Sequence, residues 1–600
     1  PPPPPPPPRD SIRRQRQMCI RDSFSPENTL ILAVGVVTGT ILPGQSRLTA
    51  TAKSPLTGAI GDAQSGGFFP VELKFAGFDA LVIHGKSPQP VYLWIKDGEP
   101  QLRSAERLMG KMTLEVETLI KDELGDPRIQ IIQNGIAGEN QVRYAALISM
   151  ANRANGRTGM GAVMGSKNLK AVAVRGNLKP AVHDPQKLKE LARWGADQFP
   201  ESNMYATGMY GTAGVLAPQN HKGGLPTHNW SSGTFEGWKA LDGRTMSDTI
   251  LKERDTCYAC PVRCKRVVEI QEGDFCTDPE YGGPEYETLA TLGSYCGVDN
   301  LEAVSHANQL CNAYGMDTIS CGATIAWAMD AFEKGLITPE VTGGLDLRFG
   351  NAEAMIKAIH LIANRDGFGD LLAEGSVRAA QEFGQDSLDL TVAVKKLEAP
   401  AHTPQVKPTL GLIYAVNPFG ADHESSEHDP NFAGYPDRMA QLGLQGGDEI
   451  QGLDEKAVQF ALTTQYMYSV KDSVCVCHFV FGASFQLYDP NQLVEGIQAV
   501  TGWDMDMEEM LSVGERRLNL LQVYNAREGF SPANDRLPKK FFQALQGGAS
   551  DGQHLVEDEV ETAKTIYYRK AGWNPTTAHP TPEKLAILGL DWAIDFLPGD

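Results

Sequence analysis

The sequence predicts an α+β protein: a β-rich first domain followed by two mostly helical ones. Three observations carry this. Apolar runs of strand length, punctuated by Gly, Pro and Asn, dominate up to residue 182. From residue 183 onward apolar residues recur at helical spacing. At 600 residues the chain exceeds the size at which a single core stops growing, so about two to four domains are expected.

Hydrophobic content of 42% and charged content of 21% are those of a soluble globular protein, and no apolar run reaches the ~18 residues of a membrane helix. A net charge of −20 argues against a nucleic-acid partner, which needs a basic face. It fits a cytoplasmic enzyme, and it repels an acidic electron carrier unless a local basic patch compensates. The ten cysteines, among them Cys276, Cys296, Cys311 and Cys321, form no paired framework and read as reduced thiols.

Residues 1–23 stand apart. Eight prolines and a basic run lack both a core pattern and a signal-peptide apolar region, so they read as a disordered or artefactual tail, and Cys19 within it carries no functional weight. The first domain, a mixed α+β or α/β unit, spans 24–182. Its strands are expected at 28–37, 80–84, 90–95, 129–132 and 171–174, with helices at 113–123 and 145–155. Two glycine-bearing stretches, Arg47–Gly67 and Arg153–Lys167, interleave Gly with Arg, Ser and Asn. Such stretches either offer backbone N–H groups and Arg forks to a phosphate or allow tight backbone packing; they match neither a dinucleotide fingerprint nor a Walker loop.

Residues 183–390 make the second, helical domain. His183-Asp184-Pro185 is a start signal, and helices follow at 186–194, 288–295, 300–314 and 319–334. Glu285 and Glu287, two apart near a helix start, either complement the helix dipole or include a buried acid/base carboxylate. The third domain, 391–600, contains a dense polar stretch around His423 and His428, which suits metal ligation but is more often solvated. Its tail, 567–590, reads as ordered and helical, and no internal repeat is present.

The strongest local signal is Cys257-Tyr258-Ala259-Cys260-Pro261-Val262-Arg263-Cys264. Three thiols this close make poor disulfides and a good metal cage. An iron–sulfur cubane needs a fourth thiolate, offered by Cys475 or Cys477, while structural zinc remains the alternative. The order of spacings is the reverse of the radical S-adenosylmethionine signature.

Taken in order, the stretches Lys53–Gly58 (KSPLTG), Glu72–Asp79 (ELKFAGFD), Gly161–Lys170 (GAVMGSKNLK), Cys257–Pro261 (CYACP), Gly283–Glu287 (GPEYE) and Gly367–Ser376 (GFGDLLAEGS) resemble the tungsten-containing aldehyde:ferredoxin oxidoreductase family from about Phe24 to the C-terminus. The resemblance implies a tungsten, or molybdenum, bis-pterin cofactor beside one [4Fe–4S] cluster, with the first domain binding pterin. It makes Cys257, Cys260, Cys264 and Cys477 cluster ligands. It assigns pterin and phosphate contacts to Arg47, Gln64, Ser65, Gly66, Gly67, Arg153, Ala154 and Asn155, and to two helical-domain motifs marked by Asn312, Asp317 and Asp472. Glu287 and His423 become the acid/base and orienting residues at the metal. The implied reaction oxidises an aldehyde to a carboxylic acid, with ferredoxin or an iron–sulfur partner subunit as acceptor.

This sequence departs from the family pattern at several positions. Asn312 replaces the usual aspartate of the first motif; its amide still bonds a pterin N–H, without charge assistance. Cys475 stands where glycine is common. The positions of an inter-subunit metal bridge fall at His306 and near Ile356, so a homo-oligomer would form without that bridge. The family's first domain opens with roughly fifty residues that pair into its sheets, which 1–23 cannot replace, so a longer natural chain and an exposed sheet edge are expected. Two other readings stay open: a tungsten subunit of a reductive complex acting on aromatic thioesters, and a non-catalytic zinc-bound scaffold.

Overall fold

The computed structural model describes residues 22–598. Residues 1–21 of the expected tail, with Cys19, lie outside the described residues. Ser23, the tail's last residue, is buried, and its carbonyl accepts a hydrogen bond from Asn28 at 2.7 Å.

Up to residue 176 the chain builds two sheets. β1 (Leu30–Val34), β2 (Leu48–Lys53), β3 (Ile60–Ser65) and β4 (Ala80–Ile83) form an antiparallel sheet in the order β3-β2-β1-β4. β5 (Val91–Lys96), β6 (Glu99–Ser104), β7 (Gln130–Asn134), β8 (Leu147–Ser149), β9 (Arg153–Asn155) and β10 (Leu169–Arg175) form a second, ordered β6-β5-β10-β7-β8-β9. In this second sheet β5 and β10 run parallel. Alternation decides which face each side chain covers. Ile132, Val172 and Val174 pack against Leu30, Leu32 and Leu48 of the first sheet. Their neighbours Ile131, Ala171 and Ala173 pack with Val116 and Ile120 of the helix Thr113–Leu124.

Three sequence expectations change here. The predicted helix 145–155 is the β8–β9 hairpin. Its residues are good helix formers, but Met150 and Ala151 adopt left-handed φ of 54° and 53°, and β8 pairs with the distant β7. The stretch Arg47–Gly67 is mostly the β2–β3 hairpin, with Gly58 (φ +80°) at its turn. β1 ends at Val34 rather than Val37 because a Cβ on Gly35 would sit 1.7 Å from the Val474 carbonyl oxygen. This contact seats the first sheet against the end of the helix Glu455–Val474.

Beyond residue 183 the chain is mainly helical, and side-chain caps set the starts. Asp184 accepts from Gln186 and Lys187 at the head of Pro185–Gln198, and Asn300 from Ala303 at Leu301–Tyr314. Asp317 caps Thr318–Glu333, and Asp454 caps Glu455–Val474. The helix expected at 288–295 starts earlier and is shorter, Tyr286–Thr291. The late helices are Glu557–Ala571 and Pro582–Ile587. The largest apolar cluster draws on all three predicted regions, including Tyr144, Trp327 and Tyr414. Among the described residues no helix is long and apolar enough to cross a membrane.

Candidate active site

The cysteine loop links two short antiparallel strands, Leu251–Asp255 and Lys265–Val268. It is bent tightly by left-handed residues Ala259 (φ 56°) and Arg263 (φ 53°). The Gly67 N–H points at Cys257 Sγ from 3.2 Å, and a Cβ on Gly66 would come within 2.8 Å of that sulfur. Any larger residue at 66 would push the loop away. Cys477 follows the helix Glu455–Val474, its N–H donating to the Gly44 carbonyl at 2.8 Å.

Burial pushes the Cys260 and Cys264 thiols up, Cys264 to about 12, and for both the charges of the neighbouring sulfurs, Cys477 and Cys257 among them, add to the rise. The four sulfurs therefore share one site, and none forms a disulfide. Burial raises the Cys477 thiol as well, and four free thiols gathered at one site fit a positively charged metal cluster, which stabilises thiolates there. Cys475 faces elsewhere. It caps the helix with φ of 55°, and its sulfur packs 3.6 Å from Thr49 Oγ1 and 3.4 Å from the Asp472 carbonyl.

Arg47 lies between this sulfur site and the second helical motif. Burial opposes its charge, but Cys477, Cys257, Glu424 and Asp472 together hold its pKa above the ordinary value. Its Nε donates to Gln64 Oε1 at 3.3 Å, and Gln64 Nε2 donates to Asp472 Oδ1 at 2.9 Å. Burial also opposes ionisation of Asp472, yet Arg517 and His478 keep its carboxyl below the usual range.

Arg153 is buried and donates to Asp255 at 2.8 Å and to the Thr256 carbonyl at 3.0 Å, leaving Nε without a partner. With Ala154, Asn312 and Asp317 it lines a polar cavity of about 180 Å³. Asp317 also pairs with Arg157 at 3.1 Å, and Asn312 donates to the Tyr281 carbonyl at 3.0 Å. An unpartnered guanidinium nitrogen facing a polar cavity fits an anionic, phosphate-bearing group.

Ser65 and Asn155 have a different task. Ser65 Oγ donates to Asn155 Oδ1 at 2.7 Å, and Asn155 donates to Leu48 and Ala63 at 3.1 and 2.8 Å, so both side chains tie strands together. Asn155→Ala should therefore lower stability by about 2–3 kcal/mol, read from the denaturant midpoint, because it orphans three buried groups.

The two glutamates diverge. Glu285 accepts from Thr212 and pairs with Lys265, which outweighs burial and lowers its pKa. Glu287 points into a pocket of about 450 Å³. Its Oε2 accepts from the Ala401 N–H at 2.8 Å, whereas Oε1 lacks a well-formed hydrogen bond and lies 3.4 Å from His402 Nε2 and 3.5 Å from His423 Nε2. Burial raises the Glu287 pKa against the opposing pull of His423.

The His402 and His423 rings stack at 5.0 Å. The donor atoms of this trio lie within 4.8 Å of one another, close enough to hold a cation. The Lys407 ammonium, 3.0 Å from His402 Nδ1, opposes one, and the trio reads as a proton-handling group.

Sequence reasoning missed His402 and Lys407; Lys407 precedes Pro408 and His402 sits midway between Pro400 and Pro404, the one local hint of a fixed backbone. The polar stretch around His428, expected to be solvated if it held no metal, is half-buried to buried: Glu427 is 1% and Asp429 5% exposed, and His423 and His428 are half-buried. Its charges are met from afar, as where Thr409 donates to both Asp429 oxygens at 2.9 and 2.6 Å. Glu424 and His478 connect the pocket to the motif at Asp472 through contacts of 2.8 and 3.0 Å.

Comparison with known proteins places the chain in a family. The family profile described as aldehyde ferredoxin oxidoreductase, N-terminal domain, matches residues 13–176, and that described as domains 2 and 3 matches 190–590. The tungsten-containing aldehyde ferredoxin oxidoreductase of Pyrococcus horikoshii is 39% identical over 95% of this chain and 91% of its own length. The WOR-like subunit of an aliphatic sulfonate oxidoreductase from Pyrococcus furiosus is 28% identical, covering 95% of this chain and 89% of that protein. Among solved structures, the active-site complex BamBC of benzoyl coenzyme A reductase with 1,5 dienoyl-CoA superposes with a TM-score of 0.81 at 26% identity, over 98% of this chain and 92% of that one. With matching profiles across both the sheet-rich and the helical parts, the chain belongs to the aldehyde ferredoxin oxidoreductase family of enzymes.

Proposed function

We propose that this enzyme oxidises aldehydes to carboxylic acids and passes the electrons to ferredoxin or an iron–sulfur partner subunit in the cytoplasm. The observation that carries the reading is the convergence of Glu287 and His423 on one pocket, joined through Glu424, His478 and Asp472 to Arg47 and the four thiols. Cys257, Cys260, Cys264 and Cys477 would hold a [4Fe–4S] cluster. Arg47, Gln64, the backbone of Ser65–Gly67, Arg153, Ala154, the backbone of Asn155, Asn312, Asp317 and Asp472 would hold a tungsten or molybdenum bis-pterin. When bound, those groups supply the two-electron acceptor and the one-electron exit.

The chain's own residues do the rest. Glu287 Oε1 takes the proton of the attacking water, for which a raised pKa suits it. His423 Nε2 orients the carbonyl. Val215, Phe479 and Phe485 form apolar walls that exclude bulk water. Glu285, Glu287, Glu424 and Glu427 line the same pocket, which favours an uncharged aldehyde over an anionic one.

The likeness to the benzoyl coenzyme A reductase complex keeps a second reading in view, a reductive subunit acting on aromatic thioesters. Metal analysis with a viologen-linked panel tests both. About four iron and one tungsten per chain, with aldehyde-dependent dye reduction, is the expected result. One zinc and no iron would remove the enzyme reading, and activity confined to thioesters would favour the second.

A further inference from the structure

We propose that His402 and Lys407 carry protons from Glu287 to solvent during turnover. The inference rests on the aldehyde-oxidising reading. Converting R–CHO and one water to R–COOH releases two electrons, taken singly by a ferredoxin-type acceptor, and two protons, which need their own exit. Glu287 is buried and its Oε2 is held by the Ala401 N–H, so Oε1 must hand each proton on before accepting the next.

A line of polar atoms leaves Oε1, its first step an approach short of a well-formed hydrogen bond. His402 Nε2 lies 3.4 Å away; His402 Nδ1 is 3.0 Å from Lys407 Nζ; and Lys407 Nζ is 3.2 Å from Gln219 Oε1. Gln219 is half-buried and Lys222, on the same pocket wall, is exposed, so the line ends in water. Lys407 itself is 5% exposed. Its remaining neighbour is His428 Nδ1 at 3.4 Å, so as an ammonium it donates to His402, His428 and Gln219.

After the ammonium gives one proton to water on the Gln219 side, His402 Nε2 takes the proton of Glu287 Oε1–H while its Nδ1–H passes to the free amine. That leaves the Nε2–H tautomer with Nδ1 accepting from the ammonium; once Lys407 has again lost a proton, exchange with pocket water, Nε2–H giving one proton and Nδ1 gaining one, restores the starting tautomer. Each transfer breaks one O–H or N–H bond and forms another. Burial lowers the Lys407 pKa to about 8, with Asp429 and Glu287 opposing and Lys222 assisting, which places proton loss within reach of neutral solution. Of the partners of Nζ among the described residues, His402 is buried and Gln219 and His428 are half-buried; Gln219 lies three residues from exposed Lys222, which favours exit on that side.

The test uses the holoenzyme in weak buffer, with a pH-indicator dye and a separate signal for acceptor reduction. In the wild type, protons and electrons should appear together. In Lys407→Met and Lys407→Arg, turnover should fall about 100-fold with tungsten and iron content unchanged, and proton release should lag acceptor reduction. Ethylamine should restore at least about tenfold of the loss in Lys407→Ala, which a packing role would not allow.

Lys407→Arg keeps the charge and the reach but cannot lose its proton, so it decides the matter if the smaller variants fail to load metal. Wild-type turnover with synchronous proton release in Lys407→Arg overturns the relay. Absence of aldehyde oxidation in the wild type instead removes the functional reading on which it rests.

Discussion

Glu287→Gln should lower kcat/KM for aldehydes by about 10³-fold, equivalent to about 4 kcal/mol of transition-state stabilisation, while leaving iron and tungsten content unchanged. Glutamine matches glutamate in shape and still offers an oxygen to the Ala401 N–H, so the helix start at Tyr286 and the pocket wall should persist. What it lacks is the ability to hold a proton.

The pH behaviour separates this role from a positioning one. Because burial raises the Glu287 pKa, wild-type activity should fall as pH drops through that raised value and the base becomes protonated; the residual activity of the variant should lack this limb. The stability effect has the opposite sense. A carboxyl whose folded pKa is raised contributes stability that is present below its unfolded pKa and lost as pH rises through the folded one. Glu287→Gln should therefore melt no lower than wild type at neutral pH. Steady-state rates across pH, with a melting curve for each protein, check both. Retention of wild-type activity would sink the acid/base assignment.

Local chemistry made much of this molecule legible. Asp184, Asn300, Asp317 and Asp454 cap helices because a short polar side chain just before a periodic apolar run satisfies the first free N–H groups, a rule that acts within four residues. The three-thiol loop was legible for the same reason.

What depended on distant partners was not. Residues 145–155 read as a helix from their propensities, and only pairing with β7 makes them strands. The acidic and histidine-rich stretch around His428 read as solvated, because its partners Thr409, His478 and Lys407 come from other parts of the chain. His402 escaped notice since no local pattern marks it, although it shares Oε1 of Glu287 with His423. The resemblance assigns Ser65 and Asn155, on two separate stretches, to pterin contact, but their side chains bond each other and strand carbonyls.

Cys477→Ser should reduce iron from about four to about three or fewer per chain and collapse electron transfer to any acceptor, whereas Cys475→Gly should leave iron unchanged. One residue, Val476, separates these thiols; spacing leaves both open and the family resemblance points to Cys477. The backbone supports that choice. The helix Glu455–Val474 ends at Cys475 in a left-handed conformation, a position that favours glycine, and this turn sends the Cys475 sulfur toward Thr49 while the chain doubles back to pin Cys477 N–H on Gly44.

Glycine at 475 would relieve the left-handed penalty of about 1 kcal/mol and lose the packing of one buried sulfur, so the net change in stability should stay within about 1 kcal/mol. Serine at 477 would put a poor soft-metal ligand into the site where Arg47 and Cys257 exert their charge. Iron content, the visible absorption of the cluster and the melting temperature distinguish the two variants. The reverse pattern, iron lost on changing Cys475 and kept on changing Cys477, would exchange their roles and require the helix end to rewind when the cluster binds.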